Sequence, residues 1–135
     1  MIKLSKMTDY AVVILAEMAA QEGNVQSASG LANHTKLPEP TVSKILKLLT
    51  KHDIIESKRG INGGYALVKS PTHINMAALI TALDGPIALT ACVEQSTECC
   101  ERSQCCTMKG KWNPVNIAMQ KALEDVSLAQ MMGTN

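Results

Sequence analysis

The sequence predicts a mainly helical protein with one small β-hairpin, and three observations carry this prediction. The chain has 135 residues with a hydrophobic fraction of 46%, which is enough to bury one core. Its aromatic fraction is only 2%, with no Phe, so the core has to be built from aliphatic side chains and Met, which suit helices. Apolar residues recur at helical spacing in five segments, and a glycine-rich stretch interrupts them.

The first three helices are predicted over 8–21, 27–34 and 41–52. Thr8 is the expected N-cap of the first helix, with Asp9 in the first turn, where a negative charge suits the helix dipole. Pro38 and Pro40 mark a turn before the third helix, and Pro40 can open that helix because its missing N–H is not needed there. We expect the third helix to have a buried apolar face and an open face that carries lysines.

A change of pattern follows the third helix. Residues 54–57 and 65–68 are strand candidates, and the connection between them contains Gly60, Gly63 and Gly64. Such a connection predicts a hairpin with a glycine-rich tip. Two more helices are predicted, over 75–83 and from about 112 to 126.

The order helix, turn, helix, hairpin is that of a winged helix-turn-helix, which binds DNA through its second helix and its wing. Short hydroxyls and lysines can contact base edges or phosphates, and an arginine beside glycines can approach a narrow groove closely. Although the net charge is only +1, residues 30–60 are basic. The competing interpretation is that these lysines form an ordinary solvated surface. The candidate DNA-binding residues are Lys6, Ser29, Thr41, Ser43, Lys44, Lys47, Arg59, Gly63, Gly64 and Tyr65.

The chain's five cysteines all lie between residues 92 and 106: Cys92, Cys99, Cys100, Cys105 and Cys106. Thiolates crowded in this way point to a soft metal or an iron–sulfur cluster. The paired Cys-x-x-Cys knuckles of structural zinc sites and the ferredoxin spacings are both missing. Zinc and metal-free redox thiols therefore remain alternatives, and the spacing leaves open which cysteine of each adjacent pair is a ligand.

Other function classes are less well supported. A thiol oxidoreductase would be expected to carry a Cys-x-x-Cys motif, which is absent, so we expect no enzyme activity. A metal-storage or scaffold protein is a third possibility. The sequence shows no signal peptide and no apolar run of the roughly 18 residues that a membrane span needs, so we expect a cytoplasmic protein without a membrane partner. We divide the chain into a DNA-binding domain (1–84), a cysteine-rich loop (85–111), and a dimerisation helix with its tail (112–135).

Several stretches resemble the winged-helix iron–sulfur cluster regulators of bacteria, the IscR/NsrR-like family. The resemblance covers nearly the whole chain and is nearest to the branch that regulates SUF-type iron–sulfur assembly. Its carriers are LSKMTDYAV at 4–12, PTVSKILKLL at 40–49, RG at 59–60, GGYAL at 63–67 and ALDGPIALTAC at 82–92, followed by the later cysteines and Trp112.

The resemblance implies a homodimer, paired through a long C-terminal helix, that reads a palindromic operator in double-stranded DNA. It also implies a cluster held by three cysteines, [2Fe–2S] in preference to [4Fe–4S]. Cys92, Cys100 and Cys106 are slightly favoured as ligands over a set containing Cys99 and Cys105. Asp9 stands where some relatives take a fourth ligand from the partner subunit, although a simple helix-capping charge explains it equally well. The alternative function is a zinc- or thiol-redox-sensing winged-helix regulator without a cluster.

Overall fold

The computed structural model describes residues 3–21, 24–89 and 107–133, and the five cysteines lie outside these ranges. Within them the predicted mainly helical architecture with one antiparallel hairpin is confirmed. The helices are α1 (Lys6–Ala20), α2 (Ala28–Thr35), α3 (Glu39–Lys51), α4 (Met76–Asp84), α5 (Asn113–Glu124) and α6 (Leu128–Met131). The strands are β1 (Ile55–Lys58) and β2 (Gly64–Leu67), and a short 3-10 helix covers Pro71–His73.

Helix α1 begins earlier than the sequence predicts. Ser5 is its N-cap, and the Ser5 hydroxyl accepts a hydrogen bond from the Thr8 backbone N–H at 3.3 Å. The prediction of Thr8 as the N-cap is therefore wrong. Both residues are good N-caps by type, but the side chain of Thr8 is buried and serves a tertiary contact instead.

Helices α2 and α3 form the predicted helix-turn-helix. The Ser27 hydroxyl caps α2 by accepting from the Gly30 N–H at 3.1 Å, and α2 ends at Lys36 in the left-handed conformation. Pro40 lies in the first turn of α3, as predicted, although α3 starts at Glu39 rather than Thr41. The buried face of α3 is the one predicted from its periodicity: Val42, Ile45, Leu46 and Leu49.

The hairpin is tied to the start of α2. Its strands pair from Ile55 opposite Leu67 to Lys58 opposite Gly64. Gln26 and Tyr65 exchange two backbone hydrogen bonds, of 2.9 and 2.7 Å, so the wing is anchored to the chain that enters α2. Gly64 has a φ of +153°, and a Cβ there would collide with the Gln26 carbonyl oxygen. Only glycine allows this close approach of the two backbones.

The predicted C-terminal helix over 112–126 is present, but it ends two residues early, and a short helix that the sequence did not predict follows it. Helix α5 ends at Glu124, and a second helix, α6, starts after Ser127, which forms a capping box with Gln130. The C-terminal region thus consists of a helix of 12 residues followed by a short return. Two backbone hydrogen bonds hold this return beside the start of α4: Met76 N–H to the Val126 carbonyl at 2.9 Å and Leu128 N–H to the Ile74 carbonyl at 2.7 Å.

The core is aliphatic, as the composition predicts. One main cluster joins α1, α2, α3, β1, α4 and α6, and its fully buried side chains include Ile14, Leu15, Leu31, Ile45, Leu46, Leu79 and Leu128. A smaller cluster joins α4 to α5 through Ala77, Ile80 and Ile87, with Met119 and Leu123 packed against it. Helix α5 therefore contributes few side chains to the main core.

A carboxylate joins the end of α4 to the beginning of α1. Asp84 accepts a hydrogen bond from the Thr8 hydroxyl at 2.6 Å and a longer one from the Ser5 backbone N–H at 3.4 Å. Partial burial acts to raise the pKa of Asp84, but the hydrogen bonds from Ser5 and Thr8 outweigh it, so the pKa lies below its ordinary value. The ionised form of Asp84 is thus the one that the fold favours.

The buried position of Leu128 predicts a large effect of truncation. We expect Leu128→Ala to lower the free energy of unfolding by about 2–5 kcal/mol, because it removes buried methyl groups and leaves a cavity in the main core. Chemical denaturation measures this change. Met131→Ala is the matched control, since Met131 is on the same short helix but 54% exposed, and we expect a change within about 0.5 kcal/mol. Equal effects for both variants would show that α6 is not packed as described.

The lowered pKa of Asp84 predicts a pH dependence of stability. The stabilisation by the ionised carboxylate is complete above the unfolded-state pKa, about 3.9. It is lost as the pH falls through the lower pKa of the folded state. We expect Asp84→Asn to reduce the slope of unfolding free energy against pH between about pH 5 and pH 3. Asp125→Asn, on an exposed carboxylate at the end of α5, is the control. An unchanged slope in Asp84→Asn would show that the ionised Asp84 carboxylate does not stabilise the fold.

Candidate nucleic-acid interface

The outward face of α3 carries the predicted recognition residues. Lys44 and Lys47 are exposed, while Thr41 and Ser43 are half-buried near the start of the helix. The ion pairs within the described ranges are formed by other residues, so no carboxylate there neutralises Lys44 or Lys47. Two unpaired ammonium groups and two hydroxyls on one open helix are able to bind phosphate oxygens and base edges.

The tip of the wing is the second predicted contact. Arg59 is exposed, and it follows Lys58, which forms a 3.5 Å ion pair with Glu56. That pair is exposed on both sides and is worth little in water. Ile61, at the end of the tip, is fully exposed. The wing therefore presents a free guanidinium on a narrow, protruding turn.

The remaining predicted residues fall in different surroundings. Lys6 is exposed at the start of α1, and Ser29 is exposed on α2, 3.2 Å from the Ser27 hydroxyl. Gly64 and Tyr65 form the junction with Gln26, and the Tyr65 side chain packs against the main core. Their structural role in fixing the wing is clear, and direct contact of any of these residues with DNA stays a prediction.

The predicted cluster ligands Cys92, Cys99, Cys100, Cys105 and Cys106 lie outside the described residues. Asp9 is exposed in the first turn of α1. No group of three His, Cys, Asp or Glu side chains in residues 3–21, 24–89 and 107–133 could hold a metal ion. The fit of a cluster therefore rests on the chemistry of the thiol donors, which is appropriate for iron and sulfide.

An apolar cavity opens beside Asp9. It has a volume of about 670 Å³ and lies between the start of α1, helix α4 and the C-terminal return. Its walls include Leu4, Val12, Ile80 and Leu123. Asp9 is one of the few charged residues in this wall, so the predicted fourth ligand stands at the edge of an apolar surface.

Helix α5 has two different faces. Three large apolar residues near its start are exposed, with exposed fractions of 44% for Trp112, 48% for Val115 and 55% for Ile117. Trp112 lies one turn before Asn116, and Val115 and Ile117 lie on the two flanks of the helix. Apolar groups exposed together in this way are typical of a protein–protein contact. The inward side holds a fully buried Asn116.

Asn116 is a functional candidate that sequence reasoning missed. Its side-chain N–H donates to the Ile87 carbonyl at 2.9 Å, and its side-chain oxygen accepts from the Leu89 N–H at 2.8 Å. The signal in the sequence is a polar residue in helical register with Met119 and Leu123, which pack inward. The other missed residue is Asp84, whose partners Ser5 and Thr8 are 79 and 76 positions away in the sequence.

No helix in the described parts of the chain is both long enough and apolar enough to cross a lipid bilayer.

Comparison with known proteins identifies the class of the protein. The sequence profile of the Rrf2 family, described as iron-dependent transcriptional regulators, matches residues 4–134. The transcriptional regulator NsrR of Oceanobacillus iheyensis is 29% identical over 130 residues, covering 96% of this chain and 88% of that protein. The regulator IscR of Sodalis glossinidius is 24% identical over 131 residues, covering 96% of this chain and 78% of that protein.

A solved structure leads to the same class of protein. The structure of CymR, the global cysteine regulator of Bacillus subtilis, superposes with a TM-score of 0.73 at 25% identity and covers 98% of both chains. These relatives are transcriptional regulators and not enzymes, which confirms the predicted class. Because the family match extends over nearly all 135 residues, the chain belongs to the Rrf2 family of transcriptional regulators.

Proposed function

We propose that this regulator is a homodimer that binds a palindromic operator through α3 and the wing, and that a cysteine-held iron–sulfur cluster controls its affinity for DNA. The observation that carries the DNA-binding part is the open face of α3, where Lys44 and Lys47 are exposed and unpaired within the described residues. Because no carboxylate of the described residues neutralises them, both ammonium groups are available to phosphate oxygens.

The proposed contacts with DNA are of three kinds. Lys44, Lys47 and Arg59 supply positive charge for phosphates, which dominate affinity and make it depend on salt. Thr41 and Ser43, near the start of α3, supply short hydroxyls for base edges in the major groove. Arg59 on the wing supplies a guanidinium that fits a narrow minor groove, so it reads groove shape more than base identity.

The second copy of the chain is suggested by the exposed apolar residues of the first turns of α5. Trp112, Val115 and Ile117 are each more than two-fifths exposed, which is a cost in water that a partner helix would remove. A two-fold dimer presents two α3 helices to DNA, and a duplex accepts them when they lie about 34 Å apart, one helical turn. Any change in how two α5 helices meet alters that separation.

The proposed cofactor is an iron–sulfur cluster, [2Fe–2S] in preference to [4Fe–4S]. Cys92 with one member of each adjacent pair, Cys100 and Cys106 in preference to Cys99 and Cys105, would supply three thiolates, and Asp9 is the proposed fourth ligand. When bound, such a cluster supplies a centre that responds to redox state and to iron–sulfur supply. The names of the relatives NsrR and IscR support this class of sensor, and SUF-type iron–sulfur assembly genes are the proposed targets.

A second candidate is a regulator that senses zinc or thiol oxidation without a cluster. The adjacent pairs Cys99–Cys100 and Cys105–Cys106 favour it, because a three-cysteine site leaves two thiols unused. A structural neighbour is called a global cysteine regulator, and it is 25% identical to this chain. Both candidates share the same DNA-binding surface and differ only in what the cysteines hold.

The contact of Lys47 with DNA predicts a change in salt dependence. We expect Lys47→Ala to weaken binding to a selected operator duplex and to make the slope of log K against log salt shallower. The change should be about 1.8, because a dimer loses two phosphate contacts and each is worth about 0.9 in the slope. Fluorescence anisotropy at four salt concentrations measures it.

Lys121→Ala is the matched control, since Lys121 is an exposed lysine on α5, outside the helix-turn-helix. Its slope should equal that of the unchanged protein, with the oligomeric state checked by light scattering. If both variants had the same slope as the parent protein, Lys47 would be only a solvated surface residue.

The nature of the cysteine-held group is tested on anaerobically purified protein. We expect visible charge-transfer absorption with equal amounts of iron and acid-labile sulfide, and its loss in Cys92→Ala. Operator affinity should then differ between protein reconstituted with iron and sulfide and the metal-free protein. A colourless protein that holds zinc, or no metal after reconstitution, would support the second candidate instead and leave the DNA-binding proposal in place.

A further inference from the structure

Asn116 is unusual among the residues that the structure describes. Only Thr8 and Asn116 are polar residues buried as a whole there, and Asn116 has no exposed surface at all. Placing an amide in an apolar environment is costly unless its donors and acceptors are satisfied. Its neighbours on the inward face of α5, Met119 and Leu123, are the apolar residues expected at such positions. A polar group in this place therefore needs a specific reason.

The reason is visible in its hydrogen bonds. Asn116 donates to the Ile87 carbonyl and accepts from the Leu89 N–H, at 2.9 and 2.8 Å, so one side chain holds the backbone of 87–89 at two points. These residues are 27 to 29 positions away along the sequence, which makes the contact tertiary. A hydrophobic side chain at 116 would leave these two backbone groups without this partner, and a buried Ile87 carbonyl is expensive to leave unpaired.

The held segment leads directly to the cysteines. Cys92 follows Leu89 by only three residues in the sequence. Five residues upstream of Leu89, Asp84 ties the end of α4 to the start of α1. The chain that enters the cysteine segment is thus fixed to two elements: α1 through Asp84 and α5 through Asn116.

Asn116 also sits between two exposed residues on the flanks of α5. Val115 and Ile117 are its immediate neighbours in α5, displaced by about 100° to either side around the helix axis. Both are exposed and belong to the surface on which we place the second copy. A displacement of 87–89 that acts on Asn116 would therefore rotate or shift the residues that meet the partner.

We infer that Asn116 is the positioning residue through which the state of the cysteine segment acts on α5, and so on the spacing of the two α3 helices. This inference rests on the proposed function and adds to it the route by which the cysteines and the DNA-binding surface communicate. Asn116 acts through the backbone of 87–89.

The first test follows the hydrogen bonds themselves, in the metal-free full-length chain. We expect Asn116→Ala to speed amide hydrogen exchange at Leu89 by at least about 10-fold, because the N–H loses its acceptor. Asn116→Asp keeps an acceptor for that N–H but loses the donor to Ile87, so Leu89 should stay largely protected. Gln120→Ala is the control: it lies one turn along α5 and bonds only within that helix, to Glu124 at 3.3 Å. Equal exchange at Leu89 in Asn116→Ala and the parent chain would overturn the inference.

The second test measures how strongly the group held by the cysteines changes the affinity for DNA. For each variant, the ratio of operator dissociation constants is measured between metal-free protein and protein reconstituted with iron and sulfide. We expect a ratio of at least about 5 in the parent protein and below about 2 in Asn116→Ala. Asn116→Asp should lie between them, and Gln120→Ala should match the parent. A purely structural role would weaken folding but leave this ratio unchanged in the folded fraction.

The outcomes separate the two proposals. If Leu89 exchanges faster in Asn116→Ala while the ratio stays at the parent value, Asn116 is only a local tie and the inference is wrong, with the proposed function intact. If the parent protein shows no difference between its two forms, the cluster-sensing proposal fails and the inference fails with it. If Asn116→Ala does not fold, Asn116→Asp provides the decisive ratio: a value equal to that of the parent overturns the inference.

Discussion

The architecture depends on a short backbone bridge between the start of α4 and the end of α5. Met76 donates to Val126 and Leu128 donates to Ile74, at 2.9 and 2.7 Å, and the isolated pair Asn75–Ser127 lies between them. These bonds join the two ends of the long segment that contains α4, the cysteines and α5, and so close it into one loop. Closing such a loop costs chain entropy, which the burial of Leu128 in the main core helps to offset. Because the loop is closed here, the cysteine segment is connected at both ends to helices with defined positions.

Local patterns predicted the parts of this fold in which one signal dominates. The spacing of Val42, Ile45 and Leu49 indicates the buried face of α3 without ambiguity, and the three glycines between 60 and 64 indicate the hairpin. The start of α1 was misplaced because Ser5 and Thr8 are equally good caps by residue type. What separates them is Asp84, which is 76 positions away and recruits the Thr8 hydroxyl. No local rule contains that information, and the same holds for the partners of Asn116.

The break between α5 and α6 has a similar origin. Apolar residues continue in helical register through Val126, so periodicity predicts an end of α5 two residues past the observed one at Glu124 and gives no sign of α6. Ser127 and Gln130 form a capping box, which is a recognisable signal for the start of a helix. Whether the chain starts a new helix here or continues α5 is decided by the tertiary hydrogen bonds of residues 126 and 128. The exposed lysine face of α3 was easier to predict than the surroundings of the cysteine segment, because lysines on an open face need no partners within the chain. A site made of thiols and a distant carboxylate needs three-dimensional information from several elements.

The contact between Gly64 and Gln26 has a consequence for recognition. A two-stranded ribbon is ordinarily free to bend and twist about its base. Here the base is fastened by two hydrogen bonds to the residue that precedes α2, with no room for a side chain between them. The wing and the helix pair consequently approach a duplex as one rigid body, and little conformational entropy is lost when they bind. A DNA-binding surface that is preorganised in this way selects among duplexes by their shape. Its own shape cannot adjust to a groove that is too wide or displaced.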